Sequence, residues 1–239
     1  MNMHERLIVA LDYPDWQEAE ALVSKLPEAR HFKVGLELYL ASSGSAVQRL
    51  KDLGKEVFLD LKFHDIPQTV AAAVAQAARS SAGMLSVHAS GGPAMLEAAA
   101  RARDIAQAAG KRTKLIAVTI LTSLDDTDTK TIGYSDSSAT EAAVRLAGLT
   151  KRAGLDGVVC SPHEILRLKQ LYGRQFTLVT PGVRPSWAEK GDQKRVFTPA
   201  DAIRDGADYI VVGRPITKAE VPAEAYASII GEMEDGENA

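Results

Sequence analysis

The chain has 239 residues, 46% of them hydrophobic and 25% charged, an ordinary globular balance at a length that buries a sizeable core without covalent staples. Lys plus Arg number 28 against 31 Asp plus Glu, a formal net charge of −3, so no basic excess draws nucleic acid and no polybasic run draws an anionic membrane. One cysteine excludes an intrachain disulfide, and no apolar run reaches bilayer-spanning length.

The first six residues lead straight into a strand-like run with no apolar signal region, so a cytoplasmic enzyme or binding protein is expected. That run predicts a strand over 7–12, followed by a helix over 16–26. A second strand is predicted over 31–35 with a helix over 38–53, a third over 56–62 with a helix over 66–81, and a fourth over 84–89 with a helix over 93–109. The fifth strand, 114–121, runs into a long polar connection over 122–138 before a helix over 139–153. A sixth, 157–161, carries Cys160 among apolar neighbours, where a small buried hydrophobe is the plain reading, and precedes a helix over 163–172. The seventh, 176–183, leads into a second long connection (181–199) and a helix over 200–205. The eighth spans 209–216, and a last helix covers 223–233.

Strands such as LIVA and IVVG are apolar on both faces, as in a parallel sheet covered by helices. No Gly-x-Gly-x-x-Gly follows the first strand, which removes the best fingerprint of a doubly wound dinucleotide fold. Eight βα units without a dividing linker imply an α/β chain folded as a single (β/α)8 TIM barrel, one domain over 1–239. The two long connections follow strands 5 and 7, at the face where barrel enzymes build their sites, and read as lids over substrate.

The most informative segment is VFLDLKFHDI over 57–66. Strand alternation puts Phe58, Asp60 and Lys62 on one face, with Asp65 in the turn that follows. The plain alternative is a salt bridge at a strand end with Asp65 as a helix N-cap. Ionised groups near a barrel interior, however, carry a desolvation cost that stability alone rarely explains. A Schiff-base lysine must be neutral, whereas two acids beside Lys62 favour the charged ammonium, suited to donating a proton or stabilising an anion. A metal site made of Asp60, His64 and Asp65 is the weaker reading, because Lys62 would compete for the same carboxylates.

The run DLKFHDIPQT over 60–69 resembles the signature of the orotidine 5′-phosphate decarboxylase superfamily, and of its bacterial members in particular. The similarity extends to LIVALD at 7–12, FKVG at 32–35, VHA at 87–89, LTS at 121–123, TPGVR at 180–184, Asp192 with Gln193, and VGRP at 212–215. This resemblance implies a cofactor-independent decarboxylation of orotidine 5′-phosphate to uridine 5′-phosphate, the last step of UMP synthesis, with no metal. It implies that Lys62 protonates the ring carbanion, with Asp60 beside it and Asp65 as a third catalytic group. Asp12 and Lys33 would contact the ribose and Thr122 the pyrimidine. Asp65, Ile66 and Thr69 would also contact substrate, Asp65 and Thr69 from the neighbouring subunit of a homodimer. Arg184, Gln193, Gly213 and Arg214 would hold the phosphate, which agrees with the phosphate corner that barrels build after strands 7 and 8. His88 is read as a packed, hydrogen-bonded residue, and Trp16 and Trp187 as packing or loop anchors. The competing readings are a Mg-dependent sugar-phosphate decarboxylase or aldolase of the same superfamily, and a silent barrel that only binds phosphate.

Overall fold

The computed structural model describes residues 2–80, 82–107, 113–188 and 197–239. Eight parallel strands pair in chain order: β1 (Leu7–Leu11), β2 (His31–Val34), β3 (Glu56–Phe63), β4 (Met84–His88), β5 (Lys114–Val118), β6 (Gly157–Val159), β7 (Thr177–Pro181) and β8 (Tyr209–Val212). β8 pairs back onto β1, Leu7 opposite Ile210, so the sheet closes. Around it run α1 (Trp16–Lys25), α2 (Leu36–Ala41), α3 (Ser45–Asp52), α4 (Pro67–Arg79), α5 (Gly92–Gln107), α6 (Asp126–Thr131), α7 (Ala139–Arg152), α8 (Ile165–Tyr172), α9 (Pro199–Asp205), α10 (Arg214–Thr217) and α11 (Pro222–Asn238). This is a (β/α)8 barrel.

Period-two patterning sorts each strand between two apolar layers. Along β1, Ile8 and Ala10 turn inward with Phe58, Met84, Ile116, Val179, Tyr209 and Val211 to fill the barrel. Leu7, Val9 and Leu11 turn outward into the larger layer beneath the helices. Where β6 begins, a Cβ on Gly157 would collide with the Thr177 carbonyl oxygen, so only glycine permits the contact with β7. Local signals start the helices: Asp15 accepts from the Glu18 amide at α1, and Ser138 from the Glu141 amide at α7.

Several boundaries depart from the sequence expectation, each for a local reason. The helix expected over 38–53 is two, α2 and α3, because Ser43 (φ 49°) and Gly44 (φ 79°) enter the left-handed region and break it. The connection 122–138 contains α6, nucleated by a capping box in which Asp125 and Asp128 satisfy each other's backbone amides. The eighth strand ends at Val212, since Gly213 leads directly into α10. The expected helix ends at 81 and 108–109, and residues 189–196 of the second long connection, lie outside the described residues. Among those described, no helix is long and apolar enough to cross a membrane.

Candidate active site

The C-terminal ends of β1, β2 and β3 carry a row of alternating charge. Lys33 donates to Asp12 Oδ1 at 2.9 Å, its Nζ stands 4.0 Å from Asp60 Oδ2, and Lys62 donates to that same Asp60 oxygen at 2.8 Å. Asp60 is 7% exposed. A carboxylate this buried is tolerated only when paired and hydrogen-bonded; two ammonium groups and the Ser86 hydroxyl, 2.8 Å from Oδ1, meet that requirement.

Asp60 and Lys62 do not meet through regular strand alternation. β3 pairs Leu59 with Leu85 but Phe63 with Val87, so four steps on β3 face two on β4, a bulge. Within it Lys62 adopts φ 51°, which costs a non-glycine residue about 1–2 kcal/mol. Its backbone N–H, lost to the ladder, donates to Ser86 Oγ at 2.9 Å. The bulge re-aims the lysine so that its ammonium folds back over the preceding acid. Strain of this kind persists where surrounding contacts over-determine it, and it gathers at functional sites.

Asp65 makes no ion pair with Lys62 within the described residues. Its carboxylate accepts the Ile66 amide at 2.6 Å, and the ion pair formed by Lys62 among the described residues is with Asp60. Nor is Asp65 an N-cap: Ile66 holds that position without a side-chain bond, because Pro67 at the first helical position keeps Ile66 extended (ψ 153°). Asp65, Ile66 and Thr69 instead form an exposed run at the start of α4, Ile66 being 66% exposed. Asp60, His64 and Asp65 do not assemble a ligand set; among the described residues no group of three or more His, Cys, Asp or Glu is arranged to hold a metal ion.

Thr122 is exposed beyond β5 and lines a cavity of about 520 Å³ together with Asp125, Thr140, Ser161 and Glu164. The segment that carries it is fastened to α7: Asp126 Oδ1 accepts the Ala139 amide at 2.7 Å, and Arg145 grips Asp136 through two nitrogens at 2.9 and 2.7 Å. Burial pushes the Glu164 carboxyl up to about 7, partly offset by the Ser161 amide that it accepts at 2.9 Å.

Across the mouth, Arg184 follows β7, its amide bonded to the Phe197 carbonyl at 3.0 Å. Gly213 follows β8 beside β1, where an added Cβ would stand 3.9 Å from Asp12 Oδ2, and Arg214 is exposed at the start of α10. The barrel therefore brings residues 184, 213 and 214 to the same face as the charged row. Asp192 and Gln193 lie outside the described residues.

His88 is half-buried, its Nδ1 2.6 Å from Ser90 Oγ and its ring 5.4 Å from that of His64. Burial, then the neighbouring His64 and Lys62, lower its pKa. Cys160 is fully buried 3.7 Å from Thr180 Oγ1, and burial pushes its thiol up, away from nucleophilic chemistry. Trp16 is buried and Trp187 is 50% exposed. Sequence reasoning missed Ser86, which is completely buried and touches both Asp60 and Lys62. The available signal was a lone hydroxyl inside the apolar strand MLSVH.

The sequence matches the model of the "Orotidine 5'-phosphate decarboxylase / HUMPS family" over residues 5–229. It is 48% identical over 237 residues to the orotidine 5′-phosphate decarboxylase of Moorella thermoacetica, covering 98% of this chain and 94% of that protein. Identity to the enzyme of the same name from Actinobacillus succinogenes is 50% over 229 residues, 95% of this chain and 97% of that one. A crystal structure of orotidine 5′-phosphate decarboxylase from Lactobacillus acidophilus superposes with a TM-score of 0.85 at 36% identity, covering 95% of this chain and 98% of that chain. With the closed barrel and the charged row at its mouth, these matches lead to one conclusion: the chain belongs to the orotidine 5′-phosphate decarboxylase / HUMPS family.

Proposed function

We propose that this protein decarboxylates orotidine 5′-phosphate to uridine 5′-phosphate, completing UMP synthesis in the cytoplasm as one barrel domain, without a metal or organic cofactor. The observation that carries this reading is the row Asp12–Lys33–Asp60–Lys62, whose last member is an ammonium on strained backbone held 2.8 Å from a buried carboxylate. Two cations balance two anions, so the site presents fixed, oriented charge where a carbanion develops. The C6–carboxylate bond breaks heterolytically, CO₂ leaves, and the electron pair stays on C6. Lys62 Nζ–H then delivers a proton to that carbon, and solvent returns one to the amine.

In this reading Asp12 and Lys33 hold the ribose and Thr122 reads the pyrimidine. Arg184, Gln193, Gly213 and Arg214 take the phosphate; a forked guanidinium and an approachable glycine backbone suit an anion. Binding energy from that remote group can be spent on closing the site and lowering the chemical barrier. Asp65, Ile66 and Thr69 act from the neighbouring subunit of a homodimer, Asp65 as the third catalytic group. Their exposure, and the absence of an Asp65–Lys62 ion pair within the described chain, support that assignment.

The test is a spectrophotometric assay of purified protein with orotidine 5′-phosphate and no added metal, repeated in EDTA. Turnover unchanged by the chelator is expected. Loss in EDTA restored by Mg²⁺ would transfer the chain to the metal-dependent sugar-phosphate branch, and no turnover at all would leave a phosphate-binding barrel.

A further inference from the structure

Lys62 bears an unfavourable backbone angle and Asp60 a desolvated charge, so something rigid must hold both. The β3 bulge removes the Lys62 amide from its ladder, and a buried N–H without a partner is costly. Ser86, on β4 and 0% exposed, resolves both problems with one hydroxyl. Its oxygen accepts the Lys62 N–H at 2.9 Å, and its proton goes to Asp60 Oδ1 at 2.8 Å. The hydroxyl's one proton is committed to Asp60 and one of its lone pairs to the Lys62 N–H, so its rotor is fixed. The other Asp60 oxygen, Oδ2, is then left for the two ammonium groups. Neighbouring β4 residues brace the same turn: Val87 pairs with Phe63, and the His88 ring lies 5.4 Å from His64.

We propose that Ser86 is a positioning residue of the decarboxylase site, a hydroxyl bridge that sets the Asp60 carboxylate and the Lys62 turn in one geometry. The assignment rests on the decarboxylase reading above. Ser86 touches no reacting atom; it acts through the two groups that do. Removing the hydroxyl releases Asp60 Oδ1, leaving the acid held through Oδ2 alone, and takes the partner from the Lys62 amide, while the phosphate and ribose contacts remain.

The experiment compares Ser86→Ala and Ser86→Thr with the parent. For Ser86→Ala, kcat for orotidine 5′-phosphate is expected to fall about a hundredfold, the scale of a misplacement near 1 Å. KM and the affinity for uridine 5′-phosphate should move by less than about threefold, since uniform binding is untouched. Ser86→Thr keeps the hydroxyl and should recover at least about tenfold of the lost rate. An alanine variant with parental kcat, a loss carried by KM and product affinity, or a threonine variant as slow as alanine would each overturn the proposal. Crystal structures of the two variants give a readout independent of turnover. Alanine should let the Asp60–Lys62 pair part or the Lys62 backbone relax, and threonine should hold both; an unmoved pair in the alanine variant overturns the positioning role. A parent protein that folds but never turns over orotidine 5′-phosphate would instead count against the decarboxylase reading, and the structural comparison would still decide the role of Ser86.

Discussion

Replacing Lys62 by glycine and by alanine separates the strain of its backbone from the chemistry of its side chain. Both substitutions delete the ammonium and the 2.8 Å pair with Asp60, so that loss cancels in the comparison. Alanine retains the penalty of φ 51°, about 1–2 kcal/mol for a residue with a Cβ, and glycine does not. Against this, glycine gives the unfolded chain more freedom, a cost of about 0.5–1 kcal/mol relative to alanine. The balance leaves Lys62→Gly more stable than Lys62→Ala by about 0.5–1 kcal/mol, the reverse of the usual order inside a strand. For a chain of 239 residues this is a difference of about 2 °C in Tm. Urea and thermal unfolding at one fixed protein concentration would measure it, and both variants should be catalytically dead. If alanine proves equal to or more stable than glycine, the left-handed turn at Lys62 carries no strain, and the reasoning that links the bulge to function is refuted.

Two further outcomes are expected. Under the proposed homodimer, Lys62→Ala and Asp65→Ala, each inactive alone, should regain activity when mixed and allowed to exchange subunits, because a hybrid would hold one site with both groups intact; assays of the mixture check this, and no recovery would return Asp65 to its own subunit or to no role. Glu164→Gln should raise the urea midpoint at pH 8 but not at pH 4.5. Burial holds the folded carboxyl at about 7, above its ordinary 4.5, so the folded state keeps the proton longer than the unfolded chain. Stability tied to the group is full at low pH and drains as pH rises through 7. A gain of equal size at both pH values would contradict that account.

The barrel was legible in the chain because its signals are local and repeated. Apolar runs such as 7–11 and 209–212 need covering on both faces, and eight of them separated by helix-forming segments close in only a few ways. The caps Asp15 and Ser138 stand directly before the helix starts expected at 16 and 139. The break at Ser43 and Gly44 was written in the chain but outweighed by the helical pattern on either side. Residues 60 and 62 are neighbours, as strand alternation suggests, but on other grounds, since regular pleating is not what joins them.

Residue identity and order were enough to dictate the alternation of strand and helix, the apolar faces, and which charged side chains stand at the mouth. They could not dictate the register slip between β3 and β4, because a bulge is set jointly by two strands whose paired residues, such as Phe58 and Met84, are separated in the chain by the whole of α4. From that slip follow the left-handed backbone at Lys62, the outward turn of Asp65, and the burial of a serine hydroxyl between the Asp60 carboxylate and the Lys62 backbone N–H. Each depends on the distance between atoms that the chain brings together only on folding, where a shift of one residue changes which face a side chain occupies.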